Sequence, residues 1–514
     1  MLHQIIERGA ANHPDKPALI FRDQPISYAQ LWGAVNAFAR GLREELGIQA
    51  GDRVGIMLPN LPQFVIAYHA LGRLGAIAVP VNPLLKAPEI AYIWNDAGVK
   101  AAVAFPMTLE TVLHAKPEIP SMQTVLLVGA EGDLPDGVRP FDSLMKPTGD
   151  PLPPAPVGVH DPVVFIYTSG TTGFPKGVML SSDNILFDIE ACQALLELDP
   201  DERFLTMLPL FHSFGQTVCM NFCLWLGGTS VLMERFMPQH ALEAMKRHRI
   251  TLFPGVPAMY AAILQVPAER EYDLSALKYC FSGGAPMPEP VHRAFEARFG
   301  CVILEGDGPT ECAPATSLNP PPHKGVRKIG SVGIPLPGVE IKIFDENDNE
   351  LPTGEIGEIV VRGRNVMLGY YNTPEATAEA MRSGWYHTGD MGKFDEDGYL
   401  YIVDRKKDML IVGGINVYPS EVERVLMEHP AVAMCAVIGK PDPERGEVPV
   451  AVIVPKPDTQ PDPREIIRFA RERLANFKVP REVIFRSELP LSNTGKVLKR
   501  LLKKELEMEN GCNH

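Results

Sequence analysis

VVFIYTSGTTGFPKG, residues 163–177, decides how the rest of this chain is read. Its first five residues are apolar, β-branched or aromatic, the pattern of a buried strand. The strand runs without a break into a loop of Ser, Thr and Gly that closes on one lysine. Such a loop suits a polyphosphate. Backbone N–H groups and hydroxyls donate, glycines admit close approach, and an ammonium offsets charge. Thr168, Ser169, Gly170, Thr171, Thr172, Gly173 and Lys176 are therefore candidate nucleotide ligands. The string is not a Walker A loop, because the G-x-x-x-x-G-K-[ST] spacing is absent.

Upstream lies KPTGDPLPPAPVGVHDP (146–162), whose Pro and Gly content predicts an extended connector. Before it, RVGIML (53–58) and AIAVPVN (76–82) read as strands around a helix at 61–74. After the loop, strand-like runs recur at 204–210, 229–233, 251–256 and 301–306, separated by helical stretches. Strands alternating with helices predict doubly wound, mostly parallel sheets. From about 330 the pattern changes to short strands at 339–345, 357–363 and 398–405, joined by polar turns. DENDNE (345–350) opens like a calcium loop, but Glu350 stands where Gly is needed and Ile356 where Glu is needed. A hairpin turn is expected there. Residues 406–514 read as a separate small α/β unit with a basic final helix.

The expected fold is thus α/β. A large N-terminal domain, 1–404, holds doubly wound sheets and a small β-barrel subdomain, with subdomains at about 1–155, 156–330 and 331–404. A small C-terminal α/β lid domain, 405–514, follows.

The 514 residues carry a net charge of −14, which argues against a nucleic-acid partner. The run Lys499, Arg500, Lys503, Lys504 reads as a solvated helix face. The eight cysteines are scattered, with no C-x-x-C pair, so neither a disulfide framework nor a zinc site is expected. No signal peptide or membrane span is legible, and a cytoplasmic location follows as the expectation.

The string Tyr167–Gly177 resembles the phosphate loop of the adenylate-forming superfamily, which includes acyl-CoA synthetases, luciferases and peptide-synthetase adenylation domains. Six more motifs resemble that family's in its order: PLFHSFG (209–215), SGGAP (282–286), GPTE (308–311), YHTGD (386–390), DRKKD (404–408) and PLSNTGK (490–496). The resemblance implies an ATP-dependent acid:CoA ligase, with ATP, Mg²⁺ and coenzyme A as its small molecules. It assigns Gly284, Ala285 and Pro286 to the adenine side, Thr310 to the α-phosphate, and Gly308 to the nucleotide site. Glu311 and Thr168 fall to Mg²⁺, and Asp390, Ile402 and Arg405 to the nucleoside. His212 is implied to orient the acid's carboxylate. Lys496 would bridge that carboxylate and the α-phosphate. Lys407 would be the hinge about which the lid exchanges Lys496 for Gly413 and Gly414, which line a thiol tunnel. One departure stands out: Asp307 occupies the place where many relatives carry an adenine-stacking tyrosine.

The acid-pocket motif reads Phe211-His212-Ser213, with no carboxylate to pair an amino-acid ammonium. Residues 218–225 and 256–260 are apolar, which suits an alkyl chain as well as it suits plain core. The motifs look most like those of medium- and long-chain fatty acid CoA ligases. Two alternatives remain open: an adenylating enzyme that loads a separate carrier protein, and a nucleotide-binding protein that has lost catalysis. The expected assembly is a monomer or homodimer, without a membrane span and open to peripheral membrane contact.

Overall fold

The computed structural model describes residues 1–146, 152–153, 155–169, 174–267, 272–443, 445–457, 459–491 and 497–511. Compactness divides the chain into two units: Met1–Ile341 with Val361–Tyr386, and Lys342–Val360 with His387–His514. This is a division by packing. The hinge expected at Lys407 falls inside the second unit.

Two large sheets organise the first unit. One runs in the order Gly369–Tyr370, Pro175–Ser181, Pro162–Ser169, Ile77–Pro80, Arg53–Met57, Val99–Ala104, Thr124–Leu127, Val138–Pro140. From Pro162–Ser169 to Val138–Pro140 its pairs are parallel, and the two strands at the other edge are antiparallel. The other sheet runs Ile334–Pro335, Ser317–Leu318, Val302–Asp307, Tyr279–Ser282, Leu252–Gly255, Arg203–Thr206, Thr229–Leu232, Pro17–Phe21, Gln24–Ser27. The expected strands are present, most of them shorter than expected, while the one at 163–167 extends to Pro162–Ser169 and the one at 301–306 is shifted to Val302–Asp307. The sheets also exchange chain. Pro17–Phe21 pairs with Thr229–Leu232, while Pro162–Ser169 joins Ile77–Pro80.

The covering helices have local reasons to start and stop. Helix Tyr28–Leu46 begins on a Ser27/Gln30 capping box and ends on Gly47 at φ 64°. Helix Pro62–Leu74 begins on proline and ends on Gly75 at φ 70°. Trp94, fully buried, anchors the first core together with Phe165 and the apolar side chains of the neighbouring strands. Its indole N–H reaches the Val79 carbonyl at 3.3 Å, as a buried polar handle must.

Mostly in the second unit, the expected small β region is a four-stranded sheet in the order Glu340–Phe344, Gly357–Arg362, Tyr386–Phe394, Leu400–Arg405, of which Glu340, Ile341, Val361, Arg362 and Tyr386 are counted in the first unit. The calcium-like string is a turn. Asp345 Oδ1 accepts the N–H groups of Asn347 and Asn349, both at 2.8 Å. Beyond it, Val432–Asp442 and Gly446–Pro455 form a long antiparallel pair. Helices Pro419–Met427 and Pro463–Arg471 cover it over a core that includes Val422, Leu426, Ile453 and Ile466.

Candidate active site

The phosphate-loop string sits on a hairpin. Strands Pro162–Ser169 and Pro175–Ser181 pair antiparallel, and Thr168 stands opposite Lys176. Gly170, Thr171, Thr172 and Gly173 lie outside the described residues. Helix Ala87–Ala97 holds both arms of the hairpin. Tyr167 Oη donates to Asp96 Oδ2 at 2.5 Å, and Tyr92 Oη donates to the Pro175 carbonyl at 3.3 Å. The Tyr92 ring also meets Phe174, with centroids 5.2 Å apart. Burial first, then the Asp96 carboxylate, pushes the Tyr167 phenol well above its ordinary range, so it stays a proton donor.

The GPTE motif follows strand Val302–Asp307. A side chain at Gly308 would strike the Pro314 carbonyl oxygen at 1.5 Å, so only glycine allows this turn. Thr310 and Glu311 are both buried to 9% exposure. That leaves a carboxylate at the turn with little water around it. Its Oε1 accepts the Tyr370 hydroxyl at 2.9 Å, and its carbonyl accepts the Met367 N–H at 2.7 Å. Thr310 Oγ1 lies 3.3 Å from Ser213 Oγ, which joins this motif to PLFHSFG. Lys176 Nζ lies 5.1 Å from the centre of the Tyr370 ring. Among the described residues no three His, Cys, Asp or Glu side chains group into a metal cage. One buried carboxylate, with a nucleotide's phosphates as the remaining ligands, is the kind of donor set Mg²⁺ takes. The residues present fit that ion.

Asp188 lies beneath the same loop, fully buried. Its Oδ2 accepts the Ala315 N–H at 3.3 Å. Burial pushes its carboxyl well above the ordinary value. Asp307 stands opposite Ser317 at the end of its strand, and its carbonyl accepts the Thr316 N–H and hydroxyl at 2.9 and 3.1 Å.

The acid-pocket motif is held by Asn60. Its Nδ2 donates to the Leu208 carbonyl at 3.0 Å and its Oδ1 accepts the Leu210 N–H at 2.9 Å. His212 is half-buried, and its Nδ1 accepts the Phe214 N–H at 3.4 Å. Residues Gly215–Phe222 form a π-helical segment, a geometry that recurs at functional sites. Leu208, Phe214, Cys219, Val256 and Met259 form one apolar cluster. The two apolar segments singled out from the sequence therefore meet at the motif. The SGGAP loop borders the same place. A methyl group at Gly283 would lie 3.4 Å from the Phe214 ring, and one at Gly284 would lie 3.7 Å from Val256. Gly284 and Pro286 are exposed and Ala285 is half-buried.

In the second unit, Asp390 and Arg405 are direct partners across two antiparallel strands. Arg405 Nε lies 3.3 Å from Asp390 Oδ1. Ile402 is half-buried on the same strand, opposite Gly392. Burial, followed by the Arg405 charge, lowers the Lys407 ammonium from its ordinary value. Gly413 and Gly414, both at positive φ, form the tip of the hairpin Leu410–Val417. Lys496 lies outside the described residues.

Sequence reading missed Tyr370, Asp96, Asn60 and Asp188. None belongs to a motif, and each acts through a partner far along the chain. The repeated tyrosines of GYYN (369–372), between a lone glycine and an asparagine, were the one visible signal for Tyr370.

Residues 6–371 match the AMP-binding enzyme family, and residues 421–496 match the AMP-binding enzyme C-terminal domain. The chain is 39% identical to a long-chain-fatty-acid–CoA ligase of Bacillus subtilis, covering 99% of this chain and 95% of that protein. It is equally 39% identical to a feruloyl-CoA synthase of an Amycolatopsis species, covering 96% of each. Its fold superposes on the anthranilate CoA ligase AuaEII, solved with anthranoyl-AMP, with a TM-score of 0.92 and 30% identity over 99% of this chain and 98% of that one.

Proposed function

Because the chain belongs to the AMP-binding enzyme family, as an AMP-forming acid:CoA ligase working through an acyl-adenylate, we propose that its acid is a medium- or long-chain fatty acid and its acceptor free coenzyme A. The family's ligases use ATP, Mg²⁺ and coenzyme A. The observation that carries the choice of acid is the apolar cluster of Leu208, Phe214, Cys219, Val256 and Met259 beside His212. An apolar wall without a charged side chain suits an alkyl tail. The likeness to a long-chain-fatty-acid–CoA ligase supports the same reading.

In the first step a carboxylate oxygen attacks the α-phosphorus and pyrophosphate leaves. Two anions must be brought together, so the site's task is positioning and charge offset. Lys176 and Lys496 supply cations, and Thr310 donates to the α-phosphate. His212 orients the carboxylate, and Asp390 with Arg405 holds the ribose. Glu311 with Thr168 would hold Mg²⁺, which would supply charge neutralisation at the phosphates. In the second step the thiol sulfur attacks the acyl carbon, AMP leaves, and the thiol proton passes to solvent. Residues 405–514 turn about Lys407 between the steps, replacing Lys496 with Gly413 and Gly414. Among the described residues no helix is long and apolar enough to cross a membrane. We place the enzyme in the cytoplasm, where the seven described cysteines, all unpaired, remain reduced.

A second reading is an aromatic acid, favoured by the likeness to a feruloyl-CoA synthase and an anthranilate CoA ligase. The test is a panel of acids from acetate to palmitate, with ferulate, anthranilate and benzoate, in which pyrophosphate and acyl-CoA are followed together. A kcat/KM that climbs with alkyl length and exceeds every aromatic acid supports the fatty acid. A maximum at ferulate or anthranilate replaces it with the aromatic reading. Pyrophosphate without acyl-CoA moves the acceptor to a carrier protein, and neither product from any acid points to a lapsed enzyme.

A further inference from the structure

Tyr370 belongs to none of the seven motifs, yet it touches two of them. Its hydroxyl donates to Glu311 Oε1 at 2.9 Å, and its ring lies 5.1 Å from the Lys176 ammonium. The backbone around it is built to keep it there. Gly369 and Tyr370 pair with Met179 and Val178 on the strand that also carries Lys176. The flanking N–H groups of Leu368 and Tyr371 donate to the Met179 and Gly177 carbonyls at 3.0 and 2.8 Å. Gly369 sits at φ 138°, and a side chain there would meet Thr377 at 2.8 Å. Thr377 Oγ1 in turn accepts the Tyr370 N–H at 2.9 Å. On the other side, the buried amide of Asn184 donates to the Arg364 and Val366 carbonyls at 2.7 and 2.8 Å. The Met367 N–H then reaches the Glu311 carbonyl at 2.7 Å. Segment 364–371 is thus strapped to the phosphate hairpin and to the metal motif at once.

We propose that Tyr370 is a positioning residue that sets the orientation of the Glu311 carboxylate and ties it to Lys176, so that the cation-binding carboxylate and the phosphate-binding ammonium move as one piece. A carboxylate at a turn can rotate about its side-chain bonds. A hydroxyl fixed on a paired strand removes that freedom, in the way outer-shell partners orient metal ligands elsewhere. The ring adds a face for the ammonium to lie against. The inference rests on the reading of Glu311 as the Mg²⁺ ligand.

The experiment compares wild type, Y370F, Y370L and E311Q. Calorimetry gives the Kd for ATP with Mg²⁺ and with a chelator, and pyrophosphate exchange is followed against Mg²⁺ concentration. Y370F keeps the ring and loses one hydroxyl. It is expected to weaken Mg²⁺-ATP binding and raise the half-saturating Mg²⁺ by about tenfold, while leaving the Kd for metal-free ATP and kcat at saturating Mg²⁺ within a factor of about three. Y370L is expected also to weaken metal-free ATP, because the ring beside Lys176 is gone. If E311Q shifts the Mg²⁺ dependence and Y370F does not, the inference is overturned while the reading of Glu311 stands. If E311Q itself leaves Mg²⁺ dependence unchanged, the reading of Glu311 falls and the inference with it. Equal weakening of metal-free and Mg²⁺-bound ATP in Y370F also overturns it, since a general loss of packing would do that.

Discussion

Glu358 Oε2 accepts the Lys406 ammonium at 3.0 Å, and that ion pair ties a buried strand to the residue next to the proposed hinge. The same carboxylate lies 3.3 Å from His387 Nδ1 and accepts the Gly389 N–H at 3.2 Å. The Lys406 N–H closes the ring on the Gly389 carbonyl at 2.9 Å. One carboxylate therefore fixes the turn that presents Asp390 and the strand end that presents Arg405.

Removing that carboxylate leaves buried donors unmatched. E358A is expected to cost about 1–3 kcal/mol and to raise the KM for ATP more than it lowers kcat, because Asp390 and Arg405 lose their common support. In a double-mutant cycle, E358Q with K406M should cost less than the sum of the single changes. Strict additivity in urea unfolding would remove the coupling. Burial opposes the Glu358 charge, and Lys406 with His387 overcomes it, so its carboxyl sits below the ordinary value of 4.5. Its contribution is present above that value and fades as pH falls through the lowered one. The gap in melting temperature between wild type and E358Q should narrow on acidification below about pH 4.5.

The bond from Tyr167 to Asp96 steadies one arm of the phosphate hairpin. D96N and Y167F are each expected to raise the KM for ATP about tenfold, the size of one hydrogen bond to a charged group. The double variant should be little worse than either. Steady-state kinetics with varied ATP checks this, and an unchanged KM would show that the hairpin holds itself.

His292 is buried between Glu305 and Glu296, at 3.2 and 3.3 Å, and Arg327 also bonds to Glu296. Burial lowers the imidazole pKa, but the two carboxylates overcome it and raise it above 6.5. Burial likewise works against Glu296, and His292 and Arg327 bring it down to about 2. A raised histidine stabilises fully below 6.5 and loses that contribution as pH climbs through the folded value. The melting-temperature advantage of wild type over H292Q should therefore shrink from about pH 6 to pH 9. A constant or growing advantage would contradict the charged assignment.

Lys496 is assigned the charge that builds as pyrophosphate leaves. K496A is expected to slow pyrophosphate exchange by about 100-fold or more, with the Kd for ATP nearly unchanged. Thioester formation from supplied acyl-adenylate should survive. Unaltered exchange would take Lys496 out of the first step.

The sequence by itself determined the local matters. Apolar runs such as 163–167 and 53–58 formed strands where expected, because burial needs no more than the run itself. The helix over 62–74 starts and stops on its own proline and glycine. The motifs expected to bind nucleotide stood out because a loop suited to a phosphate is contiguous in sequence, and its residue types follow from the charge of such a ligand. Tertiary structure decided which strands became neighbours. Pro17–Phe21 joined a sheet built mostly from later chain, and Pro162–Ser169 joined one built mostly from earlier chain. Composition does not record that choice, since any buried strand offers the same edge of N–H and C=O groups. Only folding brought Tyr370 to Glu311, 59 residues away, and Asp96 to Tyr167, 71 away. A side chain that acts through a distant partner follows no local period, so the supports of this site became visible only once the chain had closed around them.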